Sequence, residues 1–242
     1  MKCADDITYL STNPLSNDNI KKELTQKLEK RGLIINETKT EEHVISRQDD
    51  EWKKCKLLGT LLDTENDIDR RKGLAIIAIN NLKSIFEEKI SLQIKLRSFD
   101  CYISSIFLYN SELWTLSESV KLTIDSFHRR LMRGTFLNTK WPDKMTNDDV
   151  YLATGVRPWS RVIGERQLHW FGHLVRLPDD SPARLALSYT LKEEPKPRGR
   201  PKFTWIKIMS NIFNSNNRSW NEAIESAKDR KEWKRIVKRI AP

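Results

Sequence analysis

GLAIIAINNLKSIFEE occupies residues 73–88, and SLQIKLRSFDCYISSIFLYN occupies residues 91–110. Both are apolar over much of a helical circumference, which predicts long helices. Val120, Ile124, Phe127 and Leu131 follow at 4-3-4 spacing and mark a third. Trp141–Pro142 interrupts the pattern. Thr146 with Asp149 three positions on is close to a capping box, and Pro158 opens a helix expected to run to about Leu177. Ser219 with Glu222, and Asp229 with Glu232, are two more helix starts; Trp233, Ile236, Val237 and Ile240 follow the second.

Upstream of Asp63 the periodicity is different. Residues 1–10 predict strand, turn at Asp5–Asp6, then strand. Ile20, Leu24 and Leu28 mark one helix, which Gly32 closes. LIIN (33–36), HVIS (43–46) and KLLGTLL (56–62) are short β-leaning pieces. The expected fold class is therefore mainly α with a small N-terminal α+β unit. Its expected divisions are 1–62, a helical region 63–138, and a mainly helical region 139–242 with a linker near 193–202.

Charge separates these regions. Residues 1–62 hold 11 Lys/Arg against 11 Asp/Glu, residues 63–127 hold 8 against 10, and residues 128–242 hold 24 against 12. The whole excess of +10 thus arises in the last segment. Such asymmetry points to a polyanionic partner, most often nucleic acid. No apolar run approaches the ~20 residues of a spanning helix, so no membrane is expected. The start lacks a basic-then-apolar leader, so the chain is expected to be intracellular, in nucleus or cytoplasm, and not secreted. Cys3, Cys55 and Cys101 are too widely spaced for a disulfide framework or a metal knuckle.

Within the basic region, Arg166, His169, His173 and Arg176 follow a 3-4-3 spacing and share one helix face, while Leu168, Phe171 and Val175 occupy another. The cationic face suits phosphate contacts. Zinc on the two histidines is disfavoured by the flanking arginines. Arg129, Arg130 and Arg133 cluster at the end of the third helix, where they serve either a polyanion or the helix dipole. Lys196-Pro197-Arg198-Gly199-Arg200-Pro201-Lys202 resembles the AT-hook core, whose arginines enter a narrow minor groove. The same residues also read as a proline-stiffened basic linker. Tryptophans at 141, 159, 170, 205, 220 and 233 are expected mostly in helical cores, with base stacking as their other use.

Ala4-Asp5-Asp6 before an apolar strand resembles the catalytic Ala-Asp-Asp hairpin of reverse transcriptases, with Cys3 where Tyr or Phe is usual. GLIINETKTE (32–41) and Lys56-Leu57-Leu58-Gly59 are similar to the next palm motif and the primer-gripping turn of the non-LTR retrotransposon enzymes. LYNSELWTL resembles their Leu-Tyr-Gly-x-Glu-x-Trp-Thr segment, with Asn110 where Gly is usual. FHRRLMRGTF, RQLHWFGHLVRLPDD, RGRPKFTW and AKDRKEWKRIV resemble the C-terminal part of the same polyproteins, so the likeness runs along nearly the whole chain.

That resemblance implies the second half of a polymerase palm, a helical thumb and a basic C-terminal domain. It implies RNA-directed DNA polymerase chemistry, a nucleotidyl transfer on an RNA template and a DNA primer or target. Asp5 and Asp6 would be Mg²⁺ ligands and catalytic, Lys39 would lie near the incoming nucleotide, and Leu58 with Gly59 would form the primer grip. The palm's third carboxylate and the fingers have no counterpart among these residues. The expectation is a fragment inactive alone, unless a separate chain supplies them. The alternative is a non-enzymatic DNA- or RNA-binding protein derived from the C-terminal region.

Overall fold

The computed structural model describes residues 2–3, 6–9, 14–44, 50–139, 144–189 and 204–241. The chain divides into two units, Met1–Asp63 and Thr64–Pro242. It is mainly helical.

In the first unit, β1 (Lys2–Cys3) pairs antiparallel with β2 (Asp6–Ile7), Cys3 facing Asp6. Helix α1 (Pro14–Glu29) ends as Gly32 leads one to expect. Gly32 adopts φ +72°, its N–H donates to Glu29 O, and Leu33 N–H donates to Leu28 O. These are the two crossed bonds of a Schellman stop. LIIN does not form a strand. Asn36 instead caps a 3₁₀ turn, Glu37–Lys39, by accepting from the Lys39 N–H. The side chain thus gives the backbone a local partner in place of a ladder. His43 and Val44 are likewise irregular, and the rest of HVIS lies outside the described residues. A second 3₁₀ turn, Glu51–Lys54, precedes β3 (Lys56–Leu57) and β4 (Thr60–Leu61). Leu58 at φ 48° and Gly59 at φ 79° join them. Two successive positive φ values give the primed two-residue turn that matches strand twist.

Among the described residues of the second unit, the regular elements are all helical. α2 (Thr64–Asn81) begins well before the apolar run at 73, with Asp67, Ile68, Arg71 and Ala75 on its buried stripe. Leu82 breaks it before α3 (Lys83–Glu87). α4 (Leu92–Phe99), capped by Ser91, continues through a π-helical turn (Asp100–Ser104) into α5 (Ser105–Phe107). Asn110, in the left-handed region at φ 56°, ends this run. Asn tolerates that conformation and Gly adopts it freely, which accounts for either residue here. A 3₁₀ turn (Ser111–Leu113) leads to α6 (Glu118–Met132), capped by Ser117, which a π-helical turn (Arg133–Leu137) extends. Then come α7 (Asn147–Thr154), α8 (Trp159–Val175), α9 (Pro182–Tyr189), α10 (Trp205–Ser215), α11 (Trp220–Lys228) and α12 (Arg230–Ile240). Thr146 and Ser219 both form complete capping boxes, and Asp229 accepts from the N–H groups of Lys231 and Glu232.

Two apolar cores lie inside this unit. The first gathers Phe99, Phe107, Trp114, Ile124, Phe127 and Trp159; the second gathers Leu168, Phe171, Phe213, Trp233 and Val237. The junction falls within α8, whose Trp159 and Ile163 enter the first core and whose Leu168 and Phe171 enter the second.

The first core is built around a buried ion pair. Asp67 Oδ2 accepts from Arg71 Nε at 3.2 Å and from Trp114 Nε1 at 3.0 Å. Arg71 Nη1 donates to Ile106 O at 2.9 Å. A buried pair is tolerated only when its remaining polar atoms are satisfied, as these additional bonds do. In the second core the Trp233 indole donates to Leu168 O at 2.9 Å, and its ring lies where a side chain on Gly172 would stand.

Candidate nucleic-acid interface

Helix α8 turns its Leu168, Phe171 and Val175 inward, as their spacing predicts. Its opposite face borders a shallow, open cleft of about 380 Å³ lined by Glu112, Arg166, His169, Trp170 and His173. Three of the four residues expected on the cationic face therefore come together. Arg166 Nη1 donates to Leu108 O, which holds the guanidinium against the segment before Asn110. His169 Nε2 stands 3.8 Å from Glu165 Oε1, whose other oxygen accepts from Arg157 Nη1 at 2.6 Å. The rings of Trp170 and His173 lie 5.1 Å apart at 34° and make an aromatic shelf.

The facing wall is the Ser111–Leu113 turn. Trp205 Nε1 donates to Glu112 O at 2.8 Å and braces that turn, while Gln167 Nε2 donates to Trp114 O at 2.7 Å from α8. The cleft thus offers an indole, imidazoles and a guanidinium, with one carboxylate. Such a set can stack a base and contact a phosphate.

The fourth residue, Arg176, is placed elsewhere. Its Nη1 donates at 2.7 Å to Ala227 O in the last turn of α11, where orphan carbonyls carry the negative end of the helix. Burial, and then the charge of Arg230, press its pKa below the ordinary value.

The arginines at the end of α6 split three ways. Arg133 Nη2 reaches Met145 O and Thr146 O, both at 3.3 Å, and Asn147 Oδ1 at 3.1 Å, so it fastens the start of α7. Arg129 lies over the Tyr151 ring at 5.9 Å, and the exposed Arg130 lies over Phe127 at 5.3 Å. Beside them His128 is buried and stacked on Trp159, with ring centroids 4.3 Å apart at 7°. Burial, reinforced by the Arg129 charge, lowers its pKa to about 3, so the ring is a neutral core group.

In the first unit Lys39 is exposed in its 3₁₀ turn, and Leu58 with Gly59 forms the hairpin turn. Asp6 is described through its pairing with Cys3, and Asp5 lies outside the described residues. So do Lys196, Arg198, Gly199, Arg200 and Lys202. Among the described residues no group of three His, Cys, Asp or Glu side chains could hold a metal ion. Nor, among them, is any helix long and apolar enough to cross a membrane.

Sequence spacing missed Glu112 as part of this site. It lies 54 positions before Arg166, and only the short segment LYNSELWTL marked its neighbourhood. Among the described tryptophans, Trp170 lines the cleft; Trp159 and Trp233 are buried, and Trp220 packs on Phe171 and Phe213, while Trp141 lies outside the described residues. No protein-family model, no curated protein and no solved structure matches this chain.

Proposed function

We propose that this chain is the nucleic-acid-gripping part of a non-LTR retrotransposon reverse transcriptase, inactive as a polymerase by itself. The observation that carries the proposal is the aromatic and cationic cleft on α8, formed by residues of two segments that resemble that family: RQLHWFGHLVRLPDD and LYNSELWTL. The charge excess of the C-terminal region supports it. On this reading Asp5 and Asp6 belong to a Mg²⁺ site, Lys39 lies near the nucleotide and Leu58–Gly59 near the primer. No third carboxylate that would complete such a site is identifiable in the sequence, so the proposed role involves no metal step.

The test uses the full chain and a fluorescently labelled 20-nucleotide RNA or DNA single strand. Base–aromatic stacking is worth about 1–3 kcal/mol per base, so Trp170→Ala should weaken binding on the order of 5- to 100-fold. Unchanged affinity in Trp170→Ala and in His173→Ala would refute the cleft as the interface. A primer-extension assay with Mg²⁺ separates the enzyme reading from simple binding. Templated incorporation that Asp5→Ala abolishes would overturn the claim of inactivity.

A further inference from the structure

The last helix has a face that the cleft does not use. Between Arg230 and Ile240, α12 carries six Lys/Arg (230, 231, 234, 235, 238, 239) and one acid, Glu232. At 100° per residue the six cations fall within half of the circumference, and Trp233, Ile236, Val237 and Ile240 fall within the other half. All six cationic residues are exposed and all four apolar ones buried. Among the described residues Lys234, Lys238 and Arg239 have no ion-pair partner, and Arg235 meets only Glu232, at 3.5 Å. Arg176, arriving from the end of α8, brings a seventh cation up to Arg230.

We propose that the exposed face of α12 is a docking strip for the phosphate backbone of double-stranded nucleic acid, separate from the cleft. Eleven residues at 1.5 Å each make a strip about 16 Å long. Six cations along that length give one per about 2.7 Å, between the ~1.7 Å per phosphate charge of a whole duplex and the ~3.4 Å of either strand. A membrane surface fits less well, because an interfacial helix needs its apolar face free for lipid. Here that face is committed: Trp233 is 2% exposed and hydrogen-bonded to Leu168 O. A protein partner would find no aromatic or aliphatic anchor on the exposed half. Lys and Arg are the residue types that supply most phosphate contacts, and the proposed recognition is of the backbone.

The inference rests on the nucleic-acid reading of the chain but not on the cleft. Its test compares the full chain with the variant Lys231→Gln/Lys234→Gln/Lys238→Gln/Arg239→Gln. A labelled 30-bp duplex of arbitrary sequence is titrated from 50 to 200 mM salt. Every phosphate that is no longer neutralised lowers the slope of log K against log [salt] by about 0.9. The expected result is a slope lowered by roughly 2–4 and affinity reduced at least tenfold at 50 mM salt. Single-strand binding through the cleft should fall much less, and thermal unfolding should be unaltered because the four side chains are exposed. An unchanged duplex slope with wild-type single-strand binding intact overturns the strip and leaves the cleft standing. Absence of binding to either nucleic acid by the wild-type chain overturns both. Vesicles containing phosphatidylserine provide the competing arm; tighter four-cation-dependent binding to them than to the duplex also overturns the proposal.

Discussion

Replacing Gly172 by alanine should destabilise the helical unit, although alanine is the better helix former. A Cβ at this position would stand 2.3 Å from both Cδ1 and Nε1 of Trp233, and 3.1 Å from Arg176 Nη1. The indole is a large planar group inside the second core and cannot swing aside as the end of a lysine would. Overpacking of this kind costs about 1–3 kcal/mol. Displacing the ring also breaks its bond to Leu168 O, leaving a buried donor and acceptor unsatisfied at about 1–3 kcal/mol. The helix-propensity gain returns about 1 kcal/mol. The net expectation is a loss of about 3 kcal/mol, or roughly 6–12 °C in Tm for a unit of this size. Gly73→Ala is the internal control. It lies within α2 with open space where its Cβ would go, and should stabilise by up to about 1 kcal/mol. Thermal and urea unfolding, followed by tryptophan fluorescence and circular dichroism, give both values. If Gly172→Ala is as stable as the wild type or more so, the close seating of α12 on α8 is wrong.

Asp67→Ala should cost about 3–5 kcal/mol in the same assay, because the buried Arg71 guanidinium loses its counter-charge and Trp114 its acceptor. A loss below about 1 kcal/mol would remove this pair from its central place in the first core. His128 makes stability depend on acid. Its folded pKa, about 3, lies below the ordinary 6.5, so the unfolded chain binds the proton more readily. The contribution is complete above pH 6.5 and is lost as pH falls toward 3, at a slope approaching about 1.4 kcal/mol per pH unit. His128→Phe keeps a flat ring against Trp159 and should flatten the stability curve by that slope between pH 6 and 4; parallel curves would refute the buried neutral ring.

Local chemistry made the helix ends legible in the sequence. Gly32, Thr146, Pro158, Ser219 and Asp229 act through neighbours two to four positions away, so their roles can be read from spacing alone. The inward face of α8 was legible for the same reason. LIIN looked like a strand because its residues favour one, but Asn36 offered a nearer partner and Ile34 remains 91% exposed. The start of α2 was hidden because its buried stripe contains Asp67 and Arg71, which register as polar until their partners are known. Those partners lie at Trp114 and Ile106, reached only through the fold. The partners of Arg133 and Arg176 are hidden for a similar reason. Nothing in their own neighbourhood announces that Thr146 O and Ala227 O will claim them.

Trp159 and Ile163 belong to one core and Leu168 and Phe171 to the other, so α8 acts as a shared axle. Neither half can melt without loosening the helix on which the other turns, and heating should give one transition where two separate bodies would give two. The cleft from Arg166 to His173 borders the second half of that axle and reaches back to Glu112. A molecule held there would grip both halves at once, and its binding energy would appear as resistance of the entire helical unit to heat and to proteases.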